Sequence, residues 1–308
     1  MNSIEVFRLS RDWSYEYPAT IKEVLPNGLR FSAIARFLHA GDHELCFCDR
    51  LPENFRDFSL SESIILCKEG LVEKLREHLP NCQLIVLDDP RAVFLDLVAY
   101  LSSKGAIEPS SLIGDNWGVS PDASVGEGSR IHSQARIDAG ARVGSNCVIG
   151  RGAWVQAGAS IADGTVVGVH GINAYRASDG RVLKFPHLAG VIVGENSEIG
   201  ANSVLVAGVL NSTLIGKGCV LGNLCNIGHG VVVGDSVWMS VGCKIGGHTS
   251  IGSHATIGMG ALVRDNISIG DRAHIGMGSV IIKSVPSGRS MFGNPARAMP
   301  GVLAGPAR

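Results

Sequence analysis

The sequence has few aromatic residues and almost no net charge. Phe, Trp and Tyr make up 6% of the 308 residues, and 27 basic residues against 28 acidic ones leave a formal charge of −1. No run of lysine and arginine is present, which argues against a nucleic acid or an anionic membrane surface as the main partner. No stretch approaches 18 apolar residues, and the N-terminus lacks the basic and apolar pattern of a signal peptide. These absences predict a cytoplasmic protein without a membrane span.

Common cofactor and metal motifs are missing as well. The sequence contains neither a GxGxxG pattern nor a P-loop, so it gives no reason to expect a dinucleotide. Its eight cysteines include no CxxC pair, and we assign none of them to a metal or a disulfide. We therefore expect no tightly bound cofactor and no metal site.

Glycine, by contrast, is abundant, with 40 residues, and aliphatic side chains recur with a period of six. From position 113 to position 281 the period holds, as at Ile131, Ile137, Val143 and Ile149, apart from a long break at 168–192 and a slip between Leu205 and Ile215. A helix repeats near 3.6 residues and a single strand near 2, so neither explains it. Three short strands joined by tight turns, making one coil of about eighteen residues, do explain it. The fold class is predicted as mainly β, a parallel β-helix of hexapeptide repeats.

The position two residues before most of the aliphatic ones holds a small side chain that should also point inward. Four cysteines occupy it, namely Cys147, Cys219, Cys225 and Cys243. We interpret them as buried small hydrophobic residues.

Residues 1–108 do not follow the repeat. Apolar runs at 45–48, 63–67 and 83–87 predict strands, and residues 71–79 and 92–101 have helical periodicity. Strands that alternate with helices indicate a small α/β domain, with residues 102–109 as a linker. The β-helix then spans 109–282, and residues 283–308 form a C-terminal cap over its last coil.

The interruption of the repeat, residues 168–192, predicts a long loop. Loops of this length that leave a regular scaffold are often functional, although a surface flap without a ligand is the alternative. We expect substrate-binding side chains in it, namely His170, Tyr175, Lys184 and His187.

His229 is the candidate general base. It follows the inward Ile227 by two residues and lies between Gly228 and Gly230, which places it at or just past a corner with little bulk around it. A neutral imidazole there can take a proton from an attacking amine or hydroxyl. A solvated surface histidine is the alternative interpretation.

Histidines later in the repeat raise the question of zinc. His248 and His254 are six residues apart, so they lie on successive faces and diverge, and His274 does not bring a third ligand to either. One chain therefore cannot place them around one ion, although a site shared between chains stays open.

With the hexads, the loop and His229 together, the chain resembles the hexapeptide acyltransferases, and most closely the UDP-3-O-acylglucosamine N-acyltransferases of lipid A assembly. The resemblance rests on Asn223-Leu-Cys-Asn-Ile-Gly-His229, on Lys184-Phe-Pro-His-Leu188, and in the first domain on Leu45-Cys-Phe47 and Asp89-Pro-Arg-Ala-Val-Phe-Leu95. It implies a left-handed β-helix, a homotrimer, and a uridine-binding first domain. It also implies transfer of an acyl group from acyl-CoA or acyl carrier protein to the amino group of a nucleotide-linked amino sugar.

The resemblance assigns roles to particular residues. His229 would be the general base, and the N–H of Gly247, one coil further on, would stabilise the oxyanion. Candidate substrate-binding residues besides those of the loop are Phe47, Asp49, Asn223, Asn226, His248 and Asn266, and candidate donor-binding residues are Lys283 and Arg297.

The sequence also departs from that family. Gly230 stands where the family usually has Asn, Asn266 stands at the position of a second family histidine, and the C-terminal helices that engage the carrier protein are missing. The ending Gly293-Asn-Pro-Ala-Arg297 resembles sugar O- and N-acetyltransferases that use acetyl-CoA. Acetylation of a surface-polysaccharide sugar is therefore the alternative function. A zinc hydrolyase related to carbonic anhydrase and a non-catalytic scaffold are two further alternatives for the same β-helix.

Overall fold

The structure is a computed structural model, and it describes residues 7–9, 31, 33–35, 40, 42–51, 55, 60–108 and 116–303. The chain divides into two compact units. The first comprises Met1–Leu112 together with Ile172–Pro186, and the second comprises Ile113–Gly171 together with His187–Arg308. Part of the loop predicted at 168–192 thus belongs to the first unit.

In its described residues, the first unit is an α/β sheet with two α-helices. Its strands are β1 Phe7–Leu9, β2 Ala33–Ile34, β3 Glu44–Cys48, β4 Ile64–Cys67, β5 Gln83–Val86 and β6 Ile107–Glu108, in the order β5-β4-β3-β2-β1-β6. The helices are α1 Val72–His78 and α2 Pro90–Ser103. β2 to β5 run parallel, and β1 is antiparallel to both of its neighbours.

Sequence patterns explain these elements. Asp89 begins α2 as an N-cap, its carboxylate accepting from the N–H of Ala92, with Pro90 at the first helical position. The apolar stripe of α2 is buried, and Phe94 and Leu101 are fully enclosed. The predicted linker at 102–109 is wrong in its first part, because α2 runs to Ser103 and β6 follows it. Leu101, Ala106 and Ile107 are buried, so this segment packs into the unit and is not an exposed linker.

The second unit is a left-handed parallel β-helix with three faces, as expected. The first face contains β7 Gly118–Val119, β10 Arg136–Ile137, β13 Ala153–Val155, β18 Val191–Val193, β21 Thr213–Ile215, β24 Val232–Val233, β27 Ser250–Ile251 and β30 Ser268–Ile269. The second contains β8 Ser124–Val125, β11 Arg142–Val143, β14 Ser160–Ile161, β19 Glu198–Ile199, β22 Val220–Leu221, β25 Trp238–Met239, β28 Thr256–Ile257 and β31 His274–Ile275. The third contains β9 Arg130–Ile131, β12 Val148–Ile149, β15 Val166–Val169, β20 Val204–Val206, β23 Asn226–Ile227, β26 Lys244–Ile245, β29 Leu262–Val263 and β32 Val280–Ile281.

The loop and the C-terminal segment add four more strands. Within the loop, β16 Ala174–Arg176 and β17 Val182–Lys184 form an antiparallel hairpin. After the last coil, β33 Arg289–Gly293 pairs with β31 and continues the second face, and β34 Ala296–Leu303 folds back on β33. Among the described residues, no helix is long and apolar enough to cross a membrane.

The aliphatic residue of each hexad points inward, which explains the period of six. Ile137, Ile161 and Ile257 are at most 1% exposed, and the four hexad cysteines are buried between them. Val119 and Val125 are exceptions, at 44% and 39% exposure. They lie in the first described coil, beneath which no further described coil lies, so the predicted inward position is not a buried one there.

Candidate active site

The candidate site lies where the chain turns from the third face of the β-helix to the first. In regular coils this corner takes four residues, as between β23 and β24. Two coils depart from this pattern: the hairpin is inserted between β15 and β18, and residues 207–212 lengthen the corner between β20 and β21. His229 lies in the next corner, and Gly247 and His248 lie in the one after that.

The imidazole of His229 lies flat over the Cα of Gly247. A methyl group on Gly247 would fall 2.5 Å from Cε1 and 2.6 Å from Nε2 of His229. His248 packs against the preceding coil instead of the next one. A methyl group on Gly230 would fall 2.5 Å from its Nδ1. The two rings meet edge to face with centroids 4.7 Å apart. Two glycines in stacked corners therefore make room for two histidines.

The N–H of Gly247 donates no hydrogen bond among the described residues. Equivalent N–H groups at other corners are capped by the side chain one coil further on, as where Ser253 N–H donates to Asp271 Oδ1 at 2.8 Å. The residue in that place above Gly247 is Asp265, and its Oδ2 accepts from Asn266 Nδ2 instead. Buried backbone donors are rarely left unpaired, so this N–H is suited to an oxygen atom of a ligand.

Two more histidines extend the row. His187 lies edge-on to His229 with centroids 5.7 Å apart, and His170 stacks on His187 at 5.6 Å. His187 is buried, and its Nδ1 is 2.7 Å from the carbonyl oxygen of Ala207, so Nδ1 carries the proton and donates. Burial lowers the pKa of His187, and the carbonyl of Ala207 opposes that shift only in part. His187 is thus a neutral histidine, whereas His170 is exposed.

The other residues predicted for the β-helix site are on its surface. Asn223 and Asn226 are exposed, and Asn223 Oδ1 accepts from the N–H of Ala201, which is a corner cap. Lys283 lies in the same corner column as His229, three coils further on, which at about 4.8 Å per coil is about 14 Å away. Arg297 is on β34, paired opposite Phe292, so nothing in its position brings it to His229.

The first unit contains a separate cluster of aromatic and charged side chains. The guanidinium of Arg91 lies 4.6 Å from the ring centre of Tyr175 and 6.0 Å from that of Phe47. Phe47 packs on Phe94 with centroids 5.0 Å apart. Among the described residues, Arg91 has no ion-pair partner and its Nε donates to no acceptor. A half-buried cation beside two rings is a suitable place for a planar or anionic ligand.

Asp89 fixes this cluster by joining the hairpin to α2. Its carboxylate accepts from Tyr175 Oη at 2.9 Å, from Ser178 N–H at 2.9 Å and from Ala92 N–H at 3.0 Å. Burial by itself would raise the pKa of Asp89, but these hydrogen bonds outweigh it and the pKa lies below its usual value. The stabilisation is therefore present above the ordinary pKa of about 3.9 and is lost as the pH falls through the lower folded value.

The structure separates the predicted residues into three groups. It brings His170, His187, His229, Gly247 and His248 together in the β-helix. It places Phe47 and Tyr175 together in the first unit, where Asp49 and Lys184 are exposed. Asn266 joins the first group through its backbone, because its N–H donates to the carbonyl oxygen of Gly247 at 2.9 Å. Asn223, Asn226 and Lys283 contact neither group within the part of the chain that the structure describes.

Sequence reasoning missed Asp89 and Arg91 as functional residues, and it missed Thr213 at the start of β21. Asp89 had a signal, since Asp-Pro commonly begins a helix, but its partners in the hairpin are far away in sequence. In the described part of the chain, no group of three or more His, Cys, Asp or Glu side chains is arranged to hold a metal ion.

Several solved structures are similar to this chain over about three fifths of its length. A UDP-N-acetylglucosamine acyltransferase from Campylobacter jejuni is 20% identical, with a TM-score of 0.39, over 59% of this chain and 71% of that one. An Arabidopsis UDP-N-acetylglucosamine acyltransferase is 21% identical, with a TM-score of 0.43, over 61% and 73%. A Bacillus cereus protein described as an acetyltransferase is 21% identical, with a TM-score of 0.30, over 58% and 83%. No functional conclusion follows from likenesses at this level.

Two segments of the β-helix match sequence families. Residues 248–283 match the family described as bacterial transferase hexapeptide (six repeats), and residues 140–168 match the hexapeptide repeat of succinyl-transferase. These two stretches of the β-helix therefore carry repeats of the kind described for bacterial hexapeptide transferases.

Proposed function

We propose that the protein transfers an acyl group from a thioester, acyl-CoA or acyl carrier protein, to the amino group of a nucleotide-linked amino sugar. The observation that carries the proposal is the pairing of His229 with Gly247. A ring whose nitrogen can accept a proton lies against the Cα of Gly247, and the N–H of that same residue has no acceptor among the described residues. Acyl transfer needs these two groups side by side, one for the nucleophile and one for the carbonyl oxygen.

The reaction follows from that arrangement. As the sugar amine attacks the thioester carbonyl, His229 takes a proton from the amine nitrogen. The carbonyl oxygen becomes an oxyanion and accepts a hydrogen bond from Gly247 N–H. The tetrahedral intermediate then collapses to the amide, the C–S bond breaks, and the imidazolium of His229 returns its proton to the thiolate. No cofactor is needed for this sequence.

In the first unit, the cluster of Phe47, Arg91 and Tyr175 is the proposed nucleotide site. Its two rings offer faces for a base, and the guanidinium offers charge to a phosphate. Asp49, Lys184 and His248 remain candidate substrate contacts, as do the exposed asparagines Asn223, Asn226 and Asn266. Lys283 and Arg297 remain candidate donor contacts. We also propose a homotrimer, in which exposed apolar side chains of the outer faces, such as Val148, Trp238 and Leu262, would be covered.

The second candidate function is acetylation of a surface-polysaccharide sugar from acetyl-CoA. It is favoured by the C-terminal segment, which forms the β33–β34 hairpin with Gly293-Asn-Pro-Ala at its turn. Both functions use His229 and Gly247 in the same way and differ in the donor and the acceptor.

The test measures product formation by wild type and by His229→Ala, with mass spectrometry as the readout. The donors are acetyl-CoA, dodecanoyl-CoA and a dodecanoylated carrier protein. UDP-glucosamine and UDP-glucose are the acceptors, because they differ only in amine against hydroxyl. We expect amide product from UDP-glucosamine, and a loss of about 10²–10⁴-fold in turnover for His229→Ala.

The control is His254→Ala, an exposed histidine at a different corner of the β-helix. It should keep wild-type turnover. Normal turnover in folded His229→Ala would overturn the mechanism. Product from UDP-glucose alone, or from a polysaccharide sugar alone, would move the assignment to the second function.

A further inference from the structure

A buried hydroxyl lies directly behind the His229 corner. Thr213 begins β21 and is 0% exposed. Its Oγ1 donates to the carbonyl oxygen of Val206 at 2.7 Å and accepts from the N–H of Gly230 at 2.9 Å. It therefore joins the lengthened corner to the residue that follows His229.

The hydroxyl replaces a backbone bond that regular corners make. One coil further on, His248 N–H donates to the carbonyl oxygen of His229 at 2.8 Å, and in the next coil Asn266 N–H donates to that of Gly247 at 2.9 Å. Gly230 occupies the same position, φ 63°, but the coil beneath it is the one lengthened by residues 207–212. There the Thr213 hydroxyl supplies the acceptor in place of a backbone carbonyl.

The backbone of Thr213 is connected to the segment in which the chain returns from the hairpin to the β-helix. Residues 187–190 bond to the lengthened corner repeatedly: Leu188 N–H donates to Val209 O at 3.0 Å, and Gly190 N–H donates to Ser212 Oγ at 3.1 Å. The Thr213 N–H itself donates to Gly190 O at 3.1 Å. His187, bonded to Ala207 O, is held by this same network and lies edge-on to His229.

We propose that Thr213 is a positioning residue for His229. It does not touch the reacting atoms. Its hydroxyl fixes the Gly230 peptide and thereby the direction in which the imidazole of His229 lies over Gly247. The inference rests on the proposed role of His229 as the general base. It adds the residue that positions this base at a corner below which two insertions replace the regular backbone hydrogen bonding.

The test compares Thr213→Val, which keeps the shape and removes the hydroxyl, with Thr213→Ser, which keeps the hydroxyl. The control is Thr165→Val. Thr165 is equally buried, and its Oγ1 likewise donates to a carbonyl, Gly200 O at 2.9 Å, and accepts from a backbone N–H, that of Ser203 at 3.3 Å. No contact of Thr165 with His229 exists among the described residues.

We expect Thr213→Val to lower kcat about tenfold or more, because a base displaced by a fraction of an ångström transfers protons poorly, with little change in KM. Thr213→Ser should restore most of the rate, and Thr165→Val should retain it. The Hε1–Cε1 NMR signal of His229, assigned with His229→Gln, should shift in Thr213→Val and stay in place in Thr165→Val.

Equal thermal destabilisation by both valine variants, with kcat and the His229 signal unchanged in both, would overturn the inference and leave Thr213 a structural residue only. If wild type transfers no acyl group, the proposed function fails. The His229 signal then decides about Thr213 alone, since it reports the position of the ring without turnover.

Discussion

At the residue scale, the position of the His229 ring depends on the absence of a side chain at Gly247. Most hexad glycines with ordinary φ lie against backbone atoms of the next coil, so a methyl group there would force coils apart, as at Gly246 against the N of Asp265. Gly247 is different, because the three atoms nearest to its missing side chain all belong to the His229 ring. A methyl group there displaces a side chain and leaves the coil intact.

Gly247→Ala should therefore lower activity without unfolding the protein. We expect a fall of roughly 10²-fold in kcat, since the ring of His229 must leave the space over the residue, while the melting temperature stays near wild type. Gly246→Ala is the contrasting variant and should lose stability. Both values come from steady-state kinetics and thermal unfolding.

The double variant His229→Ala/Gly247→Ala separates the two possible causes of that loss. If the methyl group acts through His229, the double variant is no slower than His229→Ala alone, because the changes are not additive. A further loss in the double variant would show that the methyl group disturbs the oxyanion position itself.

The sequence allowed only part of this to be predicted. Gly228 and Gly230 beside His229 indicated an accessible corner, and the eighteen-residue coil placed Gly247 one coil on. The contact of His187 with His229 could not be predicted from the sequence. Inserted residues between them break the eighteen-residue spacing by which stacked neighbours in a β-helix are recognised. Thr213 was hidden for the same reason, as it follows the lengthened corner directly.

At the scale of elements, the hairpin is held to α2 by one carboxylate. Asp89 accepts from three donors, of which Tyr175 Oη and Ser178 N–H belong to the hairpin. A second link is the weaker pair of Arg181 with Asp96 at 3.4 Å, which is largely exposed and contributes little. The sequence showed a long loop but not its partner, because hydrogen bonds between distant segments leave no periodic signal.

Asp89→Asn should loosen the hairpin, because an amide keeps only one acceptor oxygen. Oδ1 of Asp89 accepts from Tyr175 Oη and Ala92 N–H, and Oδ2 accepts from Ser178 N–H, so the amide nitrogen cannot accept from the donors on the side where it lies. The loss of one charge-assisted pair raises the opened fraction about tenfold or more. Trypsin cleavage after Arg176 and Arg181, followed by mass spectrometry under native conditions, should accelerate by that factor.

The neighbouring carboxylate provides the control. Asp88 is exposed, and among the described residues it accepts no hydrogen bond, so Asp88→Asn should leave the cleavage rate unchanged. Equal rates for Asp89→Asn and wild type would mean that the aromatic contacts, such as Phe185 on Phe94 at 6.0 Å, hold the hairpin without the carboxylate.

At the scale of the whole molecule, the period of six was a strong predictor because every coil repeats it in phase. One residue that departs from the pattern does not obscure a period that the other coils repeat. The β-helix and its inward-pointing cysteines were therefore both predicted. The first unit has no such redundancy. Strands β3, β4 and β5 were predicted to within one residue at each end, whereas β1, β2, β6, the full extent of α2 and the membership of the hairpin came only from the structure.

The cysteines offer a measurement of how the two units unfold. Cys46, Cys48, Cys67 and Cys82 lie in the first unit, and Cys147, Cys219, Cys225 and Cys243 lie in the second. Seven are buried, and Cys82 is partly exposed. Burial raises the pKa of Cys48 to about 12 and also raises that of Cys219, so neither forms a thiolate until its unit opens.

Pulsed alkylation with iodoacetamide across a guanidinium series should therefore label the cysteines in two groups of four, read out by peptide mass spectrometry. We expect the β-helix group to need more denaturant, because its coils form one continuous aliphatic core in which each coil is covered by its neighbours. Cys82→Ser removes the one partly exposed thiol and should abolish labelling without denaturant. Labelling of all remaining cysteines at a single midpoint would instead show that the two units unfold as one cooperative body.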